Sequence, residues 1–406
     1  MTAVDWVMPA IGEVTDWQEA LYRDIHQHPE LSMQEVRTRG IVADHLRQQG
    51  FAVDEFGGGV VGVLVNGEGP TVLFRADMDA LPVLEAERFD YRSTDTGTLA
   101  GETVPVMHAC GHDMHVASAI GAAAVLAAHR DRWRGTYIAL FQPGEEVAAG
   151  ARSMVAAGLV DRVPRPDVAL GQHVLATPVS GSVAIADGPV LSTAVSIRVT
   201  VHGHGSHGSM PHLSVDPVVL AAAIVTRLQT VVAREIAPDQ FGVVTVGSLR
   251  AGASANIIPD EATLLLNLRA YDQGVLEQMQ AAVERIVRAE CAAARSPRDP
   301  LVETYDPYPL TDNDPSAVAR VRAGMVAVLG QERVLQMQPA TASEDFSTLP
   351  DAFGVPYAYW GFGGFVEGRP TVANHNPGFL PDLQPTLTTG TAAAVAGALA
   401  WLGVGD

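Results

Sequence analysis

The sequence predicts an α/β fold: a mostly parallel sheet flanked by helices, interrupted by an inserted α+β domain of ferredoxin-like type. Three observations predict it. Short apolar runs alternate with helical patterns over the first 188 residues, the order expected of βαβ units in a sheet covered on both faces. Near Gly188 the texture changes, and residues 192–202 alternate apolar and polar side chains, as a half-exposed antiparallel strand does. A βαββα order follows, and the α/β texture resumes after Pro307.

Along the chain, Trp17, Leu21 and Ile25 recur on one face of a helix over 16–28, which Pro29 ends. A second helix over 38–49 closes at Gly50. Residues 60–65, 71–74, 136–141 and 168–170 have the apolar character and length of strands, with helices over 112–129 and 148–157 between them. The inserted part reads as a strand over 192–202, a helix over 216–234, strands over 242–249 and 261–270, a helix over 273–294 and a further strand over 301–304. The last part reads as a helix over 316–329, a strand over 355–360 and a helix over 387–402. The expected division is 1–188 and 306–406 for the sheet domain and 189–305 for the insert.

A length of 406 residues suits two or three domains, and 47% hydrophobic residues with a mean hydropathy of +0.14 supply a large core. Cys110 and Cys291 are the only cysteines, so a disulfide framework is not expected and a reducing compartment fits. A net charge of −20 argues against nucleic acid and anionic membranes as partners. The N-terminus carries Asp5, Glu13 and Asp16 without a basic, then apolar, leader. Apolar stretches such as 117–128 are too short for a bilayer. The expected location is cytoplasmic.

The most informative segment is MHACGHDMH at 107–115, with a thiol, three imidazoles and a carboxylate in nine residues. Cys and His suit zinc or a similar first-row ion. The segment opens an Ala-rich helix, a position that favours a thiolate. A buried cysteine beside cap residues is the plainer alternative. Further polar clusters follow predicted strands: RADMDALP at 75–82, FQPGEE at 141–146 and GQHV at 171–174, with NHNP at 374–377 in a late loop. Of the adjacent carboxylates Glu145 and Glu146, one can bind metal while the other serves as general acid and base. They could equally decorate a helix start. Taken singly, His173 could be a strand-end imidazole and His375 a turn residue.

Together these five motifs resemble the M20 metallopeptidases. Within them they resemble the aminoacylase/carboxypeptidase branch that contains hippurate hydrolases and auxin-conjugate amidohydrolases. The resemblance runs from His26-Gln27-His28-Pro29-Glu30 to Asn374-His375. In QHPELSMQE, HGSMPHLSVDP and ASEDF the chain is similar to bacterial N-acyl-amino-acid aminoacylases, the N-acyl-glutamine type included. The resemblance implies two divalent ions per subunit, zinc first, with manganese, cobalt or nickel open. It implies that Cys110 bridges them, where other branches use Asp, and that His112, Glu146, His173 and His375 complete the ligand set. Glu145 would be the general base. The usual His-x-Asp motif is replaced by Asp77-Met78-Asp79, and His112 would supply the missing ligand. Asp77, Asp79 and Asp113 would then support the ligands from behind.

For the insert, the resemblance implies a lid and dimerisation domain, and a homodimer or higher oligomer. GHGSHGS at 203–209 resembles the family's GGHGA, with Ser206 in place of a Gly. Its His207 would polarise the scissile carbonyl in the partner subunit's site. Asn256 and Arg269 would hold the substrate carboxylate, for which a bidentate Arg is suited, although Arg269 could be a strand-edge charge. The implied reaction is metal-dependent hydrolysis of N-acyl-L-amino acids to a carboxylic acid and a free amino acid. The rivals are a metallo-carboxypeptidase or dipeptidase, a Cys110/His112 thiol hydrolase, and a non-catalytic binder of metal or amino-acid conjugates. Of the remaining residues, His26 and His28 end a helix, and 343–346 caps another while shaping the pocket. Cys291 is a small hydrophobe. Trp360, Phe362 and Phe365 line an acyl pocket or the core.

Overall fold

A computed structural model describes residues 4–86 and 90–403. The chain forms two compact units. The first holds the described residues up to Val190, Asp312–Gln338 and everything from Asp345 on. Its eight-stranded sheet has the order Ala52–Phe56, Gly59–Asn66, Gly135–Gln142, Thr71–Asp77, Val168–Val179, Tyr357–Phe365, Val183–Ile185, Val334–Gln336. The four central strands, Gly135–Gln142 to Tyr357–Phe365, are parallel, and antiparallel pairs flank them. Thr71–Asp77, Gly135–Gln142 and Tyr357–Phe365 are buried along almost their whole length, as strands covered on both faces must be.

The Ala-rich helix His112–Ala128 is buried nearly all round and packs against the helices Val7–Gln27 and Leu383–Leu399. Its small residues allow that approach: a Cβ on Gly121 would lie 2.3 Å from Gln18 Nε2. That amide donates to the Ala117 carbonyl at 2.8 Å and to Thr391 Oγ1 at 2.7 Å. The first helix starts at Val7 rather than at residue 16, because Val7, Ala10 and Ile11 continue the face that Leu21 and Ile25 bury. The strand from Val168 does not stop at Leu170. It runs to Val179, zipped in parallel to Tyr357–Phe365 with Gly361 opposite His173. Trp360, Phe362 and Phe365 lie in that second strand and are core residues.

The second unit comprises Leu191–Thr311 and Pro339–Glu344. Its sheet has the order Gly242–Ala251, Glu261–Ala270, Thr193–His202, Leu301–Tyr308, antiparallel throughout. With the helices Pro217–Leu228 and Gln273–Ala293 this is the ferredoxin-like βαββαβ arrangement. Asp216 and Asp272 cap the two helices. The helical stretch 217–234 has the length and apolarity of a membrane span, yet Leu220, Ala221, Ile224, Leu228 and Val231 of it are buried in this unit's core, as is Cys291. The unit extends past residue 305 because the last strand stays paired to Tyr308. It also takes 339–344, since Ser192 donates its amide to the Ala342 carbonyl at 2.8 Å.

Candidate metal centre and active site

All five residues expected to bind metal, together with Glu145, lie in the first unit: Cys110 and His375 in loops, His112 at a helix start, Glu145 and Glu146 in a 3-10 turn and His173 within the strand Val168–Val179. Gly111 separates Cys110 from His112 and caps the helix that follows, with φ +83°. A Cβ there would lie 2.3 Å from Val174 Cγ1, so only glycine lets the Cys110 turn approach the strand that carries His173. His173 Nδ1 donates to the Val174 carbonyl at 2.8 Å, which leaves Nε2, 3.4 Å from Cys110 Sγ, as the lone-pair atom. Burial and the neighbouring His115 hold His173 well below the usual imidazole range, so that lone pair stays unprotonated.

Glu145 and Glu146 stand in a single 3-10 turn, Glu145–Val147, directly after the strand Gly135–Gln142. Gly144 and Ala148 bound the turn with φ of 53° and 50°, and a Cβ on Gly150 would sit 1.5 Å from the Pro143 carbonyl oxygen. His375, also at positive φ, donates its amide to the Ala109 carbonyl at 2.7 Å. Its Nε2 is 3.3 Å from Glu146 Oε1.

The ligand atoms of Cys110, His112 and His173 lie within 4.8 Å of one another, and so do those of Cys110, Glu146 and His375. The thiol belongs to both groups. A third group of the same size joins His112, Glu145 and Glu146. His112 Nε2 is buried without a hydrogen-bond partner and lies 3.9 Å from Glu146 Oε1, which His375 meets from the other side at 3.3 Å. An orphaned polar atom facing a carboxylate across a buried gap is costly unless a cation joins them, so the donor set fits divalent metal.

The supporting carboxylates differ from one another. Asp79 Oδ1 lies 3.1 Å from His112 Nδ1. Asp77 works through another imidazole: Val174 donates its amide to His115 Nε2 at 2.8 Å, so Nδ1 carries the proton and donates to Asp77 Oδ1 at 2.5 Å. Burial opposes ionisation of Asp77, but the Arg75 guanidinium, His112 and His115 hold its carboxyl well below the ordinary range. Asp113 makes no contact with the cluster. It bonds His26 Nδ1 at 2.6 Å, and His26 Nε2 bonds Glu85 at 3.0 Å. His26, in the last turn of its helix, is therefore also a buried bridge between Asp113 and Glu85. His108 is buried too, and burial lowers its pKa to about 4, which keeps it neutral.

Burial and the Glu146 charge push the Cys110 thiol up, while His112 and His375 pull it down. Segment 343–346 leads into the helix Thr348–Phe353, whose Thr348 and Leu349 amides donate to the Asp345 and Phe346 carbonyls at 3.1 and 3.0 Å. The Asp345 carboxylate accepts from Gln142 Nε2 at 2.6 Å and Arg75 Nη2 at 3.3 Å.

In the second unit, His207 lies on a two-residue strand paired with Ile257–Ile258. Gly208 donates its amide to the Asn256 carbonyl at 2.8 Å, which brings His207 and Asn256 together. His207 Nδ1 accepts from the Ser209 amide at 3.1 Å and lies 2.8 Å from its hydroxyl, so Nε2 carries the proton of the neutral ring. Arg269 is fixed by Asn267 Oδ1 at 2.9 Å, the Thr341 carbonyl at 2.7 Å and Ser343 Oγ at 3.1 Å. Unforeseen contributors are His26, Ser32, Glu35 and Asn374. Asn374 Nδ2 donates to the carbonyls of Cys110 and Val174 at 3.2 and 3.3 Å. The first three fall within the His26–Glu35 stretch, far in sequence from the site residues they contact.

Residues 73–396 match the model of peptidase family M20/M25/M40. The chain belongs to this family. It is 33% identical to thermostable carboxypeptidase 2 of Saccharolobus solfataricus, over 94% of this chain and 95% of that one. It is 31% identical to the N-acetyl-L-cysteine deacetylase of Bacillus subtilis, over 89% and 82%. Identity is again 31% with an IAA-amino acid hydrolase of Arabidopsis thaliana, over 90% and 81%. Among solved structures, a dinuclear metal binding M20 peptidase of Bacillus subtilis superposes with a TM-score of 0.77 at 26% identity, over 96% of this chain and 99% of that one. This M20 chain is thus a hydrolase of amide bonds.

Proposed function

We propose that this M20 chain is a metal-dependent amidohydrolase that cleaves N-acyl-L-amino acids to a carboxylic acid and a free amino acid. The observation that carries the proposal is the thiol shared by two ligand groups, with the orphaned His112 Nε2 facing Glu146 Oε1 beside Glu145. His112 and His173 would hold one ion, Glu146 and His375 the other, and Cys110 both. When bound, such ions supply Lewis acidity to the amide carbonyl and to water. Zinc suits a thiolate ligand, with manganese, cobalt and nickel as alternatives.

Glu145, buried to 6% exposure, takes the proton of the attacking water on its carboxylate and returns it to the departing nitrogen. His207 donates from Nε2 to the oxyanion, as its Ser209-fixed tautomer allows. Asn256 and Arg269 hold the substrate's carboxylate. The expected assembly is a homodimer or larger oligomer through the second unit, with His207 supplied by the partner subunit, in the cytoplasm. Relatives that deacetylate N-acetyl-L-cysteine or hydrolyse IAA-amino acids support the substrate class.

The test is amine release from a panel of N-acyl-L-amino acids and dipeptides after reconstitution with each metal. Metal-dependent release from the acyl amino acids, abolished by EDTA, is expected. Release confined to dipeptides would move the assignment to a peptidase. Activity that resists EDTA but is lost to iodoacetamide would overturn the metal reading.

A further inference from the structure

Residues 28–35, between the helices Val7–Gln27 and Val36–Gln48, contribute no candidate metal ligand, yet two of their side chains, Ser32 and Glu35, connect to the Glu145 turn. Glu35 is 4% exposed. Its Oε1 accepts from the Gly144 amide at 2.7 Å and from the Met33 amide at 2.9 Å. Ser32 Oγ donates to Asp79 Oδ2 at 2.7 Å, and the same oxygen accepts from the Glu146 amide at 3.0 Å. The Glu30 carbonyl accepts the Ala80 amide at 2.8 Å. The backbone amides on either side of Glu145 are thus each held by a buried carboxylate, and the same short segment anchors both. The turn needs such holding. It is a single 3-10 turn between two residues in left-handed conformation, a geometry with little hydrogen bonding of its own.

We infer that Glu35 is a positioning residue for the base Glu145, fixing the 144–146 turn through the Gly144 amide, with Ser32 acting in parallel through Asp79. The inference rests on Glu145 being the base. What the turn requires of Glu35 is an acceptor oxygen at the right reach, not a charge. Displacing a catalytic group by about 1 Å costs on the order of 100-fold in rate.

The experiment compares Glu35→Gln, which keeps the reach and loses the charge, with Glu35→Asp, which keeps the charge and loses a methylene. Both are measured in the metal-loaded full chain. Glu35→Asp is expected to lower kcat by roughly 10- to 100-fold with KM and metal content unchanged, while Glu35→Gln stays near wild type. Ser32→Ala, a small change that the fold tolerates, is expected to lower kcat by a smaller factor. The reverse ranking, or equal losses in Gln and Asp, would overturn the inference. Hydrogen exchange at the Gly144 amide gives an activity-independent readout: faster in Glu35→Asp, protected in Glu35→Gln. If the wild type releases no amine from any acyl amino acid, the proposed function fails. The clamp is then judged on exchange alone, and unchanged protection in Glu35→Asp sinks it.

Discussion

His26 illustrates how much a single buried side chain carries. Burial alone would lower its pKa, but hydrogen bonds to Asp113 and Glu85 outweigh it and raise the value to about 9. The folded value lies above the ordinary 6.5, so the stabilisation is complete below about pH 6.5 and is lost as pH rises through 9. The gap in unfolding free energy from urea titration between wild type and His26→Gln should therefore shrink between pH 6 and 9.5, by at most roughly 3 kcal/mol. A gap independent of pH would show that His26 is not charged in the fold. Cys110 yields a second prediction. Because its thiol belongs to both ligand groups, Cys110→Ala should lose metal at both, and His375→Ala at one. Metal content by mass spectrometry checks this, and equal losses in the two variants would contradict a bridging thiol. The candidate ligands were legible through the resemblance carried by five dense motifs; taken singly, the chemistry of His173, His375 and the Glu145–Glu146 pair left plainer alternatives open. Glu35 was not legible, because its partner Gly144 stands 109 positions away and no local pattern announces the contact.

The elements were legible where hydrophobicity is continuous. The strands Thr71–Asp77 and Gly135–Gln142 are apolar runs buried on both faces. The strand Val168–Val179 was cut short in the sequence because Gly171, Gln172 and His173 interrupt its apolar run. Tertiary bonds hold it instead, with Gln172 donating to the Gly390 carbonyl at 3.1 Å and accepting from Trp360 Nε1 at 3.0 Å. The strands Val183–Ile185 and Val334–Gln336, at one end of the sheet, are three residues long, too short for any periodicity. At this scale Gly111 is the critical joint, since it sets the angle between the Cys110 turn and the helix His112–Ala128. Gly111→Ala adds an unfavourable φ and a contact at 2.3 Å, so a loss of about 1–3 kcal/mol is expected. Urea unfolding of the metal-free protein and metal titration check it. Unchanged stability together with unchanged affinity would show that the approach of Val174 is not needed.

At the scale of the whole molecule, two hydrophobic cores serve two units, and every candidate metal ligand belongs to the first. Metal binding should therefore raise the calorimetric transition of the first unit alone, by about 2.7 kcal/mol at a hundredfold excess over the dissociation constant, and EDTA should reverse it. A shift confined to the second unit would contradict the placement of the metal site. The catalytic claim is tested most directly at Glu145. With metal content verified as equal, the turnover of Glu145→Gln on an N-acyl-L-amino acid that the wild type hydrolyses is compared with that of the wild type. A fall of roughly 10²- to 10⁴-fold is expected for loss of a general base; turnover at the wild-type rate would show that the base lies elsewhere.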